Sequence, residues 1–172
     1  SGMTAAYYLS LMGHKVTVYE AKERLGGMLM YGIPNYRFPK DRLDEDMNAI
    51  LSTGNIEVKY GVNVGVDVPI EEIHKSYDAM YVAIGAQAGK KLRLEGIDAK
   101  NVFSAVEMLD EIGHDRKPDY TGKTVAVIGG GNVAMDAARS ALRCGAADVR
   151  IVYRRRQEDM TALDTEIESA VM

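Results

Sequence analysis

An α/β chain of the parallel-sheet type is predicted by three observations: strand-like runs alternate with helical ones, glycine turns follow the strands, and one helix–strand pattern occurs twice. The two copies overlay without a gap through the helix. In the later copy, Ala134 is followed by Ala137, Ala138 and Gly145 at offsets 3, 4 and 11. In the earlier one, Gly2 is followed by Ala5, Ala6 and Gly13 at the same offsets. Each helix then leads into a strand, "VTVYE" or "VRIVYR", with two extra residues in the later connection. Tandem Rossmann-like parallel sheets, both incomplete, are the architecture this predicts.

Taken in order, residues 3–12 suit a helix ended by Gly13, and "KVTVYE" (15–20) is a strand behind it. Residues 39–54 place Leu43, Met47, Ile50 and Leu51 on one helical face, closed by Gly54. "IEVKY" and "VNVGVDV" (56–68) alternate and read as short strands. Pro69 suits the first turn of a helix over 69–76, and "YDAMYVAIGA" (77–86) reads as a buried strand ending in a glycine turn. "KKLRLEG" (90–96) reads as a surface loop. "SAVE" at 104–107 fits a capping box for a helix that stops at Gly113. The polar stretch 115–123 is the best linker candidate. After it come a strand with its glycine turn (124–130), a helix (132–144), a strand (148–154) and a helical end (161–172).

Composition narrows the function classes. Apolar residues make up 47% of the 172 residues and charged ones 27%, which suits a packed core rather than a disordered chain. The net charge of -4 argues against a nucleic-acid partner, and the "YRRR" cluster at 153–156 lacks an aromatic stacking set. A single cysteine, Cys144, excludes an internal disulfide and a redox cysteine pair and points to a reducing, cytoplasmic setting. Cys144 itself reads as core filling. No membrane span is expected. His14, His74 and His114 lack metal-ligand spacing, "DRLDED" (41–46) reads as a solvated helix face, and Met28, Met30, Met47, Met80, Met108 and Met135 fall on apolar positions.

The later repeat carries a complete fingerprint, "VAVIGGGNVA", with Gly129, Gly131 and Ala134 forming G-x-G-x-x-A. The first glycine makes a tight turn, the second admits a pyrophosphate, and the small third residue lets helix and strand pack closely. The amide-rich helix start then faces the anion. A glycine turn that only packs is the plainer alternative. In the overlay Gly2 takes the place of Ala134, so the first strand and two glycines of the earlier unit are missing, and the chain reads as a fragment that begins within a motif.

The residue closing each second strand bears on the ribose. Glu20 would accept hydrogen bonds from two ribose hydroxyls and repel a phosphate, unless it is merely a solvated glutamate. Arg154, followed by Arg155 and Arg156, would instead favour the 2′-phosphate of NADP, unless the three form an exposed basic loop. Opposite preferences in one chain suggest a two-dinucleotide flavoprotein taking hydride from NADPH.

"RLGGMLMYGIPNYRFPK", "YVAIGA", "GGGNVAMDAARSALRCGA" and "VYRRRQEDMTALDTEIE" together resemble the small (beta) subunit of NADPH-dependent glutamate synthase and its relatives. Those relatives include the corresponding half of dihydropyrimidine dehydrogenase and the NADPH-side subunit of electron-bifurcating ferredoxin oxidoreductases. The resemblance implies that Gly2, Glu20, Gly26 and Gly27 lie along FAD, with Gly85 near its pyrophosphate. It implies that Gly129, Gly131, Asn132 and Val133 hold the NADPH pyrophosphate, and Arg154 and Arg155 its 2′-phosphate. Asp136, of the same "NVAMD" signature, would brace the helix start. Residues 1–103 are then a partial FAD-binding domain and 104–172 a partial NADPH-binding domain.

The chain departs from the family pattern at Ile84, where threonine is usual. It also lacks the iron–sulfur region and the segment that closes the FAD domain. The implied reaction passes hydride from NADPH to FAD, then single electrons through the parent protein's iron–sulfur clusters to a partner subunit; it requires no acid, base or nucleophile. The alternative is a catalytically silent nucleotide-binding or assembly module. Exposed sheet edges predict a dimer or swapped assembly.

Overall fold

A computed structural model describes residues 1–89 and 94–171. The chain divides into two compact units, one of residues 1–30 and 38–86, the other of residues 31–37 and 87–172. The second unit therefore begins earlier than residue 104, and it takes in the short 31–37 segment. The 115–123 stretch is no boundary, because it lies wholly within this unit. There Tyr120 stacks on Phe103 with ring centroids 6.3 Å apart. Residues 90–93, where most of the expected "KKLRLEG" loop falls, lie outside the described residues.

In the first unit, α1 (Gly2–Leu11) leads through Gly13 into β1 (Val16–Glu20), which pairs in parallel with β2 (Ile56–Tyr60), Val16 opposite Ile56 and Glu20 opposite Tyr60. Between the strands lie the short α2 (Met28–Tyr31) and α3 (Lys40–Leu51); α4 (Ile70–Ser76) follows β2. The buried apolar side chains among the described residues of this unit are Ala6, Leu25, Met30, Leu43 and Ile73. Ser10 Oγ donates to Thr53 Oγ1 at 2.7 Å, joining α1 to the end of α3.

Two expected strands of this unit do not form. Residues 62–68 fold into a turn, because Asn63 and Asp67 close on each other. The Asn63 N–H donates to Asp67 Oδ2 and the Asp67 N–H to the Asn63 carbonyl, both at 2.8 Å. The 77–86 segment is neither a strand nor buried: Tyr81 and Ile84 are 62% and 84% exposed. Its apolar alternation is strand-like, but no described strand lies alongside to complete a ladder, and a strand without a partner has no hydrogen bonds of its own. Met80 in this segment is exposed, as is Met28 at the start of α2, whereas Met30, Met108 and Met135 are buried.

The second unit holds α5 (Ala105–Gly113), β3 (Thr124–Ile128), α6 (Asn132–Arg143), β4 (Asp148–Val152) and α7 (Asp164–Val171). β3 and β4 pair in parallel with Thr124 opposite Asp148 and Ile128 opposite Val152; α6 is the crossover. Ala134, Ala137, Ala138 and Ala141 are all buried, so this helix meets its neighbours with methyl groups and packs close. Met108, Val127, Met135, Ala162 and Ile167 complete the buried cluster. The final helix starts at Asp164 rather than 161, for a visible reason. The amides of Thr161 and Ala162 donate to the Gly130 carbonyl at 3.0 and 3.1 Å, and that of Leu163 to Asn132 Oδ1 at 2.9 Å. These amides are tied to the glycine turn, and the first helical hydrogen bonds run from Glu166 and Ile167 back to the Leu163 carbonyl, at 2.9 and 3.1 Å.

Ser104 caps α5 as a full capping box with Glu107, its Oγ accepting from the Val106 N–H at 3.2 Å. Ser104→Ala is expected to lower stability by about 1 kcal/mol, read as a lower midpoint in thermal unfolding. Gly26 is more demanding. Its φ is +117°, and a Cβ there would lie 2.6 Å from Leu43 Cδ2 and 3.1 Å from Met30 Cβ. At Gly54, φ is +90° but a Cβ meets nothing within 4 Å. Gly26→Ala is therefore expected to destabilise by roughly 1–3 kcal/mol more than Gly54→Ala, measured by denaturant titration of both.

Candidate functional site

The turn after β3 and the first turn of α6 form the best-defined site. The Gly129 N–H donates to the Val152 carbonyl at 3.0 Å, which holds the turn against the end of β4. Gly129 has φ +147°, and a Cβ on it would stand 3.4 Å from the Ala134 Cβ, so the helix start lies directly over the turn. A Cβ on Gly130 would come 2.8 Å from the Tyr153 ring and 3.0 Å from Met160 Cγ. Gly131 is the N-cap of α6, and no side chain caps it. The first amides of a helix have no intrahelical acceptor, and here no capping side chain replaces one. An anion is the natural complement to such an end.

Of the residues that sequence assigns to this site, Asn132 and Val133 open α6, and Val133 is 48% exposed. The Asn132 side-chain oxygen already accepts from Leu163, which leaves its backbone N–H and side-chain NH2 to face a ligand. The arginine triplet at the end of β4 divides. Arg156 pairs with Glu158 at 3.3 Å and Asp159 at 3.4 Å. Arg154 and Arg155 are exposed and make no ion pair among the described residues.

A cluster that sequence reading missed lies on the other side of α6. Asp136 is buried, and its Oδ2 accepts from Arg37 Nη1 at 2.7 Å. The same guanidinium reaches Glu166 Oε1 of α7 through Nε at 3.0 Å, while Arg139 Nη1 holds Glu166 Oε2 at 2.7 Å. The Tyr36 ring lies 4.6 Å from the Arg139 guanidinium and 4.0 Å from that of Arg143, and its hydroxyl donates to the Asp136 carbonyl at 3.2 Å. Burial pushes the Asp136 carboxyl above the usual carboxylate range, against the opposing pull of Arg37. Burial likewise raises the Tyr36 hydroxyl, which Ser140 lowers from nearby. Even so, neither Ser140 Oγ nor Asp136 Oδ1 has a well-formed hydrogen bond among the described residues. Each member falls within one of the family-like stretches, Arg37 in "RLGGMLMYGIPNYRFPK" and Glu166 in "VYRRRQEDMTALDTEIE", but nothing in the sequence shows that these stretches meet.

In the first unit the assigned residues are less concentrated. The Glu20 carboxylate, at the end of β1, accepts from the Lys22 N–H at 3.0 Å through Oε1. Gly26 is accounted for by its packing on Leu43 and Met30, and Gly27 follows in the same turn with φ +54°. Gly85 has φ +67° with open space where a Cβ would be. A Cβ on Gly2 would stand 3.2 Å from the Ala83 Cβ, so the start of α1 packs closely on the 77–86 segment. A cleft of about 240 Å³ lies beyond the turn, lined by Glu23, Arg24, Asp44, Asn48 and Tyr60 among others, with Arg24 and Asp44 paired.

Cys144 closes α6, half-buried, and burial pushes its thiol up, which suits an inert side chain. No cluster of three metal-ligating side chains occurs among the described residues, and none of the described helices is long and apolar enough to cross a membrane.

The chain is 43% identical over 172 residues to the NADP(+)-dependent formate dehydrogenase subunit beta of Moorella thermoacetica, covering 99% of this chain and 24% of that protein. It is 37% identical over 161 residues to the glutamate synthase (NADPH) small chain of Mycobacterium tuberculosis, covering 87% of this chain and 33% of that one. The chain thus spans a quarter to a third of the length of these relatives. Among solved structures, Mycobacterium tuberculosis FprA in complex with NADPH superimposes with a TM-score of 0.80 at 23% identity, over 98% of this chain and 44% of that one. This likeness shows the fold: the Rossmann-like α/β class expected from the alternating strands and helices. All of residues 1–172 match the model of one family, and the chain belongs to it: pyridine nucleotide-disulphide oxidoreductase.

Proposed function

We propose that this chain is the nucleotide-handling segment of an NADPH-dependent flavin oxidoreductase of the glutamate synthase small-subunit kind. The observation that carries the reading is the start of α6, set over Gly129 and Gly131 with no side-chain cap, and two exposed arginines after the neighbouring strand that make no ion pair among the described residues. In this reading the amides of Asn132 and Val133 receive the NADPH pyrophosphate. Arg154 and Arg155 take the 2′-phosphate, while Arg156 stays with its acidic neighbours. Gly129 and Gly131 keep the approach clear; an added Cβ would stand at ordinary contact distance, 3.4 Å, from Ala134 and Thr161, and would occupy the space over the helix start.

The first unit is proposed to face FAD. Glu20, at the end of β1, holds ribose hydroxyls through the oxygen that Lys22 does not occupy. Gly27 and Gly85 offer left-handed backbone without side chains, Gly85 with open space above it. Gly2 and Gly26 serve the same site indirectly, by packing. On this assignment residues 1–103 contain the FAD side and 104–172 the NADPH side, with the 31–37 segment joining the latter. When bound, the nicotinamide supplies a hydride and the flavin accepts it. The residues of this chain bind and orient, with no side chain needed to move a proton.

The relatives' names describe subunits of NADP-linked enzymes, and for this chain we propose a cytoplasmic protein with an electron-accepting partner subunit. Iron–sulfur centres of the parent protein would carry the electrons there. Exposed Ile128 and Val152 at the end of the second sheet suit contact with a further chain, a second copy included.

Arg155→Gln is expected to weaken NADPH binding by roughly 10- to 100-fold, the worth of one charge-assisted phosphate contact, and to leave NADH binding nearly unchanged. Equilibrium titration with both nucleotides checks this; equal losses would remove the 2′-phosphate from Arg155. Purified full chain is expected to be yellow and to release FAD on denaturation. A colourless protein that still binds NADPH would support the silent nucleotide-binding module instead.

A further inference from the structure

We propose that Arg37 is a positioning residue for the NADPH site, an inference that rests on the nucleotide reading above. It lies outside both glycine motifs and is 99 residues from its main partner, Asp136. Asp136 is the fifth residue of α6, one turn in from the open amides. Its side chain is 6% exposed, so the rotation of the helix start is set by whatever holds that carboxylate. Arg37 holds it at 2.7 Å.

The second carboxylate on the same guanidinium reaches the other half of the site. Glu166 belongs to α7, and its Oε1 forms an ion pair with Arg37 Nε at 3.0 Å. The chain leading into α7 starts from Arg154 and Arg155 and is tied to the glycine turn by the amides of Thr161 and Ala162. One planar cation thus joins the element that presents the amides to the element that follows the phosphate-binding arginines. Arginine suits this role because its Nη1 and Nε serve two carboxylates at once in a fixed plane. An ammonium group on a flexible stem does not fix that geometry. Arg139 occupies the other Glu166 oxygen at 2.7 Å, so the carboxylate cannot swing away. Tyr36, held between Arg139 and Arg143, anchors the backbone from which Arg37 projects.

The test measures dissociation constants of NADPH and NADH in the full chain for the parent, Arg37→Gln, Arg37→Lys and the double variant Arg37→Gln/Asp136→Asn. Circular dichroism confirms that each is folded at the titration temperature. Arg37→Gln is expected to weaken both nucleotides by the same factor, on the order of tenfold, because it disturbs the cradle rather than one phosphate. The double variant, which removes the stranded buried charge, is expected to recover part of that loss. Arg37→Lys should fall between parent and Arg37→Gln, and it carries the test if the glutamine variant does not fold. Affinities within about twofold of the parent for folded Arg37 variants would overturn the proposal and leave the nucleotide reading standing. A loss confined to NADPH would also overturn it, since Arg37 would then be touching the 2′-phosphate itself. A parent chain that binds neither nucleotide would overturn the NADPH reading and this inference with it.

Discussion

The second unit depends on how closely α6 can approach its sheet. Four buried alanines on this helix, Ala134, Ala137, Ala138 and Ala141, keep the helix surface low. Ala134 then comes within ordinary contact distance of Gly129, 3.4 Å from where a Cβ would be. A larger residue at either place would lift the helix and carry its amides away from the turn. Close packing here therefore also places the site: the arrangement that fills the core sets unsatisfied donors at the end of a strand.

The same closeness creates an electrostatic problem at Asp136. A carboxylate in the buried run 134–138 loses its hydration, and burial raises its affinity for a proton. Arg37 answers with a guanidinium that is itself shared with Glu166, and Arg139 completes a set of two cations and two anions. Such buried sets contribute little net stability relative to apolar packing, yet removing one member strands a charge, at about 3–5 kcal/mol. They therefore fix geometry more than they add stability. An exposed pair such as Arg42–Glu45 is different in kind: held in water, it is worth about 0–1 kcal/mol.

What sequence could and could not reveal follows from the range of the interactions. The capping box at Ser104, the glycine turn at 129–131 and the alanine face of α6 are written within a few residues of each other and were legible. The 77–86 segment has the apolar pattern of a strand, but a strand exists only by pairing, and no described strand pairs with it. The 161–163 stretch has helical composition, yet it runs along the glycine turn, bonded to Gly130 and Asn132 about thirty residues away, and helical bonding begins only at the Leu163 carbonyl. Asp136 was visible as part of a signature. Its pairing was not, because Arg37 stands in a different family-like stretch, 99 residues earlier, and meets the helix only in three dimensions.

The earlier repeat shows how far local packing persists without a ladder. Gly2 corresponds to Ala134, the small residue that lets a helix approach its sheet, and a Cβ on it would stand 3.2 Å from Ala83. The 77–86 segment beside it makes no strand, yet the helix start is already pressed against it. Van der Waals contact between two small residues needs only that both backbones come near, whereas strand pairing needs a donor and an acceptor in register. Packing can therefore hold a segment in place where hydrogen bonding does not. In this unit the exposed side chains of Tyr81, Val82 and Ile84 lie on backbone that one such contact has already positioned.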